Sequence, residues 1–197
     1  MSFRIENKYK MSLSDQKIFK ASLLSRGAKV VYPSRKINSC YFDTKLLDCF
    51  HESEDGFLPR KKVRIRWYGE SNKYQKEIKI SSIEGRFKII EKFPLENFSI
   101  NNNIKLLEPD IGLLSSTLLV SYWREYLILD KLRITLDSKI KYFDLRGSFK
   151  RQVNDFECVS ELKTEELFME DYINQLIHMP TSRFSKYCRG ISLITSL

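Results

Sequence analysis

The stretch Lys61-Lys62-Val63-Arg64-Ile65-Arg66-Trp67-Tyr68 alternates with period two, and one of its faces is wholly cationic. Successive side chains of a strand point to opposite sides of a sheet. Val63, Ile65 and Trp67 therefore form one face, and Lys62, Arg64 and Arg66, preceded by Arg60, form the other. Like charges at intervals of about 7 Å repel one another and gain nothing from packing. Such a face is either a solvated edge or a site for a polyanion.

The same alternation recurs along the chain and predicts strands. Arg4, Glu6 and Lys8 oppose Phe3, Ile5 and Tyr9; Gln75, Glu77 and Lys79 oppose Tyr74, Ile78 and Ile80. Arg86 and Lys88 oppose Phe87 and Ile89, and Tyr122 and Arg124 oppose Trp123. Arg133, Thr135 and Asp137 oppose Leu132, Ile134 and Leu136, and Glu157, Glu161 and Lys163 oppose Phe156, Cys158 and Leu162. Two helices are predicted. One opens at Ser12 or Ser14 and runs to about Arg26, buries Ile18, Leu23 and Leu24, and stops at Gly27. The other spans Glu165 to His178, with Thr164 as its N-cap and Leu167, Ile173, Leu176 and Ile177 buried. Asn101-Asn102-Asn103 marks a loop, and residues 104–116 read as a short helix or irregular packing. Many strands and few helices give an α+β, mainly antiparallel β fold: a sheet, or a barrel whose charged faces would line a channel if they turned inward.

At 197 residues, with no linker rich in Gly, Ser or Pro and no repeat, the chain reads as a single domain, 1–197. Its net charge of +9 favours an anionic partner such as nucleic acid, a membrane surface, a nucleotide or polyphosphate. Cys40, Cys49, Cys158 and Cys188 include no C-x-x-C pair and no zinc-ligand spacing, which suits reduced thiols in a cytoplasmic protein. The charged start MSFRIENKYK lacks the apolar core of a signal peptide. His51 and His178 stand apart, and nothing sets up a Ser-His-Asp or Cys-His arrangement, so covalent catalysis is not expected. No RRM, KH or helix-turn-helix signature is present, which argues against a nucleic-acid domain.

Eight short motifs in order carry a resemblance: R-x-E-x-K-Y (4–9), INSCYFDT (37–44), PRKKVRIRWYG (59–69), EIK (77–79), YWREY (122–126), LRITLD (132–137), SELK (160–163) and RFSKYC (183–188). Together they resemble the VTC domain, the polyphosphate polymerase domain of the triphosphate tunnel metalloenzyme (CYTH-like) superfamily, over nearly the whole chain. The resemblance implies a closed tunnel barrel of about eight antiparallel strands with a charged lumen and flanking helices. It further implies a triphosphate or polyphosphate ligand and a divalent metal, Mn²⁺ or Mg²⁺.

Carried over motif by motif, Lys8, Arg64, Arg66, Lys79, Arg124, Arg133 and Lys186 match the family's phosphate ligands. Ser185 falls in the S-K-Y element, and Lys88 is a further candidate, with Lys92 as its alternative. Of these, Arg64, Arg66, Lys79, Arg124, Arg133 and Lys186 would act in phosphoryl transfer, which asks mainly for positioning and charge stabilisation. Arginine suits phosphate because its planar fork binds two oxygens at once. Glu161 matches the metal-binding glutamate, and Glu6 is a second candidate metal ligand. The tunnel phosphatases carry E-x-E-x-K on the first strand; Arg4 here replaces the first acid, which fits the VTC-like branch better. Glu77 reads as a supporting acid or a salt-bridge partner, Tyr122 and Tyr126 as packing residues, and Asp43-Thr44 as the residues that shape a turn.

The expected activity is transfer of the γ-phosphate of ATP onto a polyphosphate chain. The alternatives are a triphosphatase using the same site and a non-catalytic polyphosphate- or RNA-binding module. The partners are then ATP, triphosphate or polyphosphate, with a separate membrane component at the inner face of a membrane as a further expectation.

Overall fold

The computed structural model describes residues 5–71, 73–94, 104–147, 151–165 and 170–196. Arg4, Leu167 and the Asn101–Asn103 loop lie outside these residues. The elements run in the order β1 (Ile5–Met11), α1 (Leu13–Ser25), β2 (Lys29–Asp43), α2 (Asp48–Asp55), β3 (Arg60–Tyr68), β4 (Tyr74–Ser82) and β5 (Gly85–Phe93). They continue as β6 (Lys105–Glu108), β7 (Gly112–Leu129), β8 (Leu132–Asp144), β9 (Gln152–Asn154), β10 (Cys158–Thr164), α3 (Glu170–Leu176) and α4 (Lys186–Thr195). The fold is mainly antiparallel β with a few helices, as the alternation predicts. Its hydrogen-bonded strand order is β1-β10-β8-β7-β2-β3-β4-β5, with β6 on β7 and β9 on β8.

The chain divides into two compact units. The first comprises residues 1–36, 122–140 and 154–184. Its apolar cluster brings Tyr9 and Met11 of β1 against Ile134 and Leu136 of β8, Leu162 of β10 and Phe19 and Leu23 of α1. Ser12 caps α1 by accepting a hydrogen bond from the Asp15 N–H (3.0 Å), and Gly27 ends it in the left-handed region at φ +94°. The buried stripe of α1 is Gln16, Phe19 and Leu23, so the expectation that Ile18 and Leu24 are buried is corrected. At about 100° per residue, Ile18 lies about 200° around the helix from Gln16, and it is 69% exposed. Gln16 can take the inward place because its side-chain N–H donates to the Asp137 carbonyl (3.2 Å) and to Ser160 Oγ (3.4 Å). A second correction concerns Thr164. It ends β10, paired with Ile5, rather than capping a helix, and α3 begins at Glu170. Ile173, Leu176 and Ile177 are buried as expected.

The second unit comprises residues 37–121, 141–153 and 185–197. Its core gathers Cys40 and Phe42 of β2, Val63, Ile65 and Trp67 of β3, Ile78 of β4 and Leu114 of β7. These are the apolar partners of the cationic face, and their burial fixes the register of the hairpins. Residues 105–108 and 112–115 pair as antiparallel strands rather than forming a short helix. Two helices that the periodicity did not reveal, α2 and α4, complete the unit. Asp43 organises the turn into α2. Its carboxylate accepts hydrogen bonds from the N–H groups of Thr44, Cys49 and Phe50 (2.8, 2.9 and 3.0 Å) and from Tyr187 Oη of α4 (2.5 Å). All four cysteines are free and buried.

Candidate functional site

Each unit carries a charged sheet face. In the second unit the registers Tyr41↔Arg64↔Glu77, Ser39↔Arg66↔Gln75 and Lys62↔Lys79↔Lys88 place these residues on one side of β2, β3, β4 and β5. Arg60, paired with Ser81, and Lys92, paired with Gln75, share that side. Arg64 and Arg66 are buried, while Lys79 and Lys88 reach solvent. A solvated edge would leave both arginines exposed; here the middle of the strand is withdrawn from water.

Glu77 holds that face together. It is 1% exposed and accepts from Arg64 Nε (2.7 Å) and from Lys88 Nζ (2.7 Å), with Arg66 at 4.0 Å. Burial alone would push its carboxyl up, but the charges of Arg64 and Arg66 and the hydrogen bonds from Lys88 and Arg64 hold it down to about 2. Burial would likewise raise the Tyr41 hydroxyl, yet the same two arginines pull it below its ordinary value. Arg64 also donates to Tyr41 Oη (2.9 Å), and Arg66 Nε donates to Ser39 Oγ (3.0 Å). Lys62 Nζ donates to Ser185 Oγ (3.0 Å), bringing a base of β3 to the hydroxyl that caps α4, whose first residue is Lys186.

In the first unit the registers Glu6↔Lys163↔Arg133 and Lys8↔Glu161↔Thr135 place these six residues on one face, with Asp137 two residues further along β8. Arg124 binds Asp137 through two parallel hydrogen bonds, Nε to Oδ1 (2.5 Å) and Nη2 to Oδ2 (2.7 Å), and approaches Glu161 Oε2 (3.9 Å). Burial works against the Arg124 charge, but Asp137 keeps the guanidinium firmly protonated. Lys163 bridges the two candidate metal ligands, at 3.5 Å from Glu6 and 3.0 Å from Glu161, and Lys8 pairs with Glu6 at 3.2 Å. Arg133 lies exposed at the register position beside Lys163.

Glu6 and Glu161 are the oxygen donors of this face that could hold a hard divalent cation. Among the described residues no group of three or more His, Cys, Asp or Glu side chains comes together. A cation held by Glu161 and Glu6 would therefore complete its shell with phosphate and water oxygens, as Mg²⁺ commonly does. Thr135 Oγ1, directly across from Glu161, is buried without a hydrogen-bond partner among the described residues and could offer a further hard oxygen.

The sequence candidates thus separate into Lys8, Arg124, Arg133, Glu6 and Glu161 in one unit and Arg64, Arg66, Lys79, Lys88, Ser185 and Lys186 in the other. Sequence reasoning left Asp137 without a role, although LRITLD placed it on the charged face with Arg133. Its complete burial beside Arg124 assigns that role.

The fold is shared with several solved structures at low sequence identity. A candidate adenylate cyclase from Vibrio parahaemolyticus superposes with a TM-score of 0.59 at 14% identity, covering 97% of this chain and 98% of that one. One from Bacillus halodurans gives 0.60 at 12% identity, covering 94% and 96%. A candidate adenylyl cyclase from Hippeastrum, described as having a dominant triphosphatase activity, gives 0.55 at 16% identity, covering 96% of each chain. No curated protein matches the sequence significantly. The VTC domain model matches residues 3–110 and 95–195, and the chain belongs to that family.

Proposed function

We propose that this chain is a polyphosphate polymerase that transfers the γ-phosphate of ATP to the end of a polyphosphate chain with Mn²⁺ or Mg²⁺. The observation that carries the reading is the buried Arg64–Arg66 pair, flanked by Lys62, Lys79 and Lys88 and countered at its centre by Glu77. Planar guanidiniums held in place by Glu77, Tyr41 and Ser39 are pre-organised to receive phosphate oxygens, and in a water-poor setting each contact is strengthened.

In the transfer, a terminal phosphate oxygen of the polymer attacks the γ-phosphorus and the bond to the β,γ-bridging oxygen breaks, releasing ADP. The attacking oxygen is already anionic, so the reaction needs no general base, consistent with a site built of bases and few acids. Within the second unit, Arg64, Arg66, Lys79 and Lys186 bind and orient phosphate oxygens, with Lys88 and Ser185 contributing binding; within the first, Arg124 and Arg133 orient phosphate oxygens and Lys8 contributes binding. Arg124 is aimed by Asp137. Glu161 and Glu6, with Thr135, would hold the cation, which when bound supplies charge neutralisation at the phosphates.

A triphosphatase with water as acceptor is the second reading. Glu6 on the first strand and the triphosphatase activity of the Hippeastrum neighbour favour it. Purified protein with ATP and Mn²⁺ separates the two. ADP with long-chain polymer is expected from the polymerase, and stoichiometric orthophosphate without polymer would establish the triphosphatase. Absence of turnover of ATP and tripolyphosphate with every divalent cation would reduce the chain to a binding module. Among the described residues no helix is long and apolar enough to cross a membrane.

A further inference from the structure

Tyr122, Arg124 and Tyr126 alternate along β7 and share one face. Accessibility rises along that row, from Tyr122, 2% exposed, to the half-buried Arg124 and Tyr126. The Arg124 guanidinium stands 5.4 Å from the centre of the Tyr122 ring. At the outer end, Tyr32 of β2 meets Tyr126 edge-on, with ring centres 5.6 Å apart and planes at 88°. The Arg35 guanidinium lies 4.6 Å from the Tyr32 ring centre and 5.8 Å from that of Tyr126. Tyr32 is 48% exposed and Arg35 is exposed, so this aromatic and guanidinium surface faces water.

Tyr126 was expected to pack, and it does, but against groups that themselves stay open to solvent. An exposed cation–π contact contributes only about 0.5–1 kcal/mol, so folding alone gives little reason to leave the Tyr32 ring and the Arg35 guanidinium exposed together. Aromatic faces and guanidinium planes are the surfaces on which nucleobases stack, at about 1–3 kcal/mol per base. Along the strand the cluster begins about 7 Å from Arg124. A ligand whose phosphates meet Arg124 and the buried end of the row therefore directs its other end toward Tyr126 and Tyr32.

We propose that Tyr32, Arg35 and Tyr126 form a nucleobase-stacking subsite, which takes the base of a nucleoside triphosphate while its phosphates engage Arg124. The proposal rests on the reading of this protein as one that binds a triphosphate. The donor is then recognised at both ends. An inorganic polyphosphate, which has no base, uses only the phosphate end.

Calorimetric titration of ATP and of inorganic tripolyphosphate into the wild type, Tyr32→Ala, Tyr32→Phe and Arg35→Ala tests this. Tyr32→Ala is expected to raise the Kd for ATP by between about fivefold and a hundredfold, as loss of one base stack implies. Tyr32→Phe keeps the ring and should stay within about twofold, and Arg35→Ala should raise the Kd for ATP several-fold. Tripolyphosphate serves as the internal reference and should move less than about twofold throughout. An unchanged Kd for ATP in Tyr32→Ala, with tripolyphosphate still bound, overturns the subsite alone. Equal weakening of both ligands also overturns it, because the cluster would then act only on the fold. Failure of the wild type to bind either ligand overturns both this proposal and the triphosphate reading on which it rests.

Discussion

Replacing Glu77 by Gln removes the negative charge at the centre of the β3–β4 face and almost none of the volume. Arg64, Arg66 and Lys88 then confront one another without their counter-charge. In the wild type, holding this carboxyl at about 2 instead of its ordinary 4.5 corresponds to on the order of 3 kcal/mol in favour of the ionised folded state. Glu77→Gln should lose about that much at pH 7, lowering the Tm by roughly 6–12 °C for a chain of this size. The pH dependence has a definite sign. Because the folded value is depressed, the contribution is complete above about pH 4.5 and is lost as pH falls toward 2. By linkage, about 2 kcal/mol of the difference between wild type and variant should have gone by pH 3. Denaturant unfolding of both proteins at pH 7, 4 and 3, followed by far-UV circular dichroism, measures it. A gap under about 0.5 kcal/mol at pH 7, or one that stays constant down to pH 3, would refute the reasoning. A polyanion should also substitute for the missing carboxylate. Tripolyphosphate at pH 7 should raise the Tm of the variant more than that of the wild type.

Further outcomes follow from other positions. Glu161→Gln should abolish metal-dependent turnover while tripolyphosphate binding in EDTA stays within about threefold; normal turnover in a kinetic assay would remove Glu161 from the metal set. Gly190 sits inside α4, where alanine would ordinarily help a helix, but a Cβ there would stand 2.5 Å from Tyr142 Cδ1 and 2.6 Å from Leu118 Cδ2. Gly190→Ala should therefore cost about 1–3 kcal/mol, seen as a lower Tm. Asp137→Asn takes the charge from a completely buried partner of Arg124. It should reduce kcat while circular dichroism remains native, and a wild-type kcat would show that Arg124 needs no aiming.

Where alternation met a sheet with one apolar face, the sequence could be read almost residue by residue. Val63, Ile65 and Trp67 went inward because nothing else in KKVRIRWY could, and the cationic side followed from the pleat. The helices were harder. In α1 the inward place of Gln16 depends on acceptors more than a hundred residues away, so Ile18 looked the better core residue from local sequence alone. The α4 segment KYCRGISLIT carries a glycine and β-branched residues that weaken helix propensity. Its helix is set by packing, with Gly190 closing on Tyr142 and Leu118. The α2 segment is capped from outside itself, by Asp43 in the preceding strand, and begins at Leu47 in a left-handed conformation that no local signal announces. At the charged faces the motifs select candidate residues without distinguishing buried from exposed ones. Arg64 and Arg66 are buried while Lys79 and Arg133, equal candidates by motif, are exposed, a difference created by tertiary packing.

The central claim is that the cationic face of β3 is a phosphate site and not a solvated edge. Titration of inorganic tripolyphosphate into the protein in EDTA at physiological salt, repeated with Arg64→Ala, tests it most directly. The account predicts saturable binding at one ligand per chain in the wild type and a Kd at least tenfold weaker in Arg64→Ala, as loss of a charge-assisted bidentate contact implies. A Kd that Arg64→Ala leaves unchanged, or no saturable binding by the wild type, would contradict it.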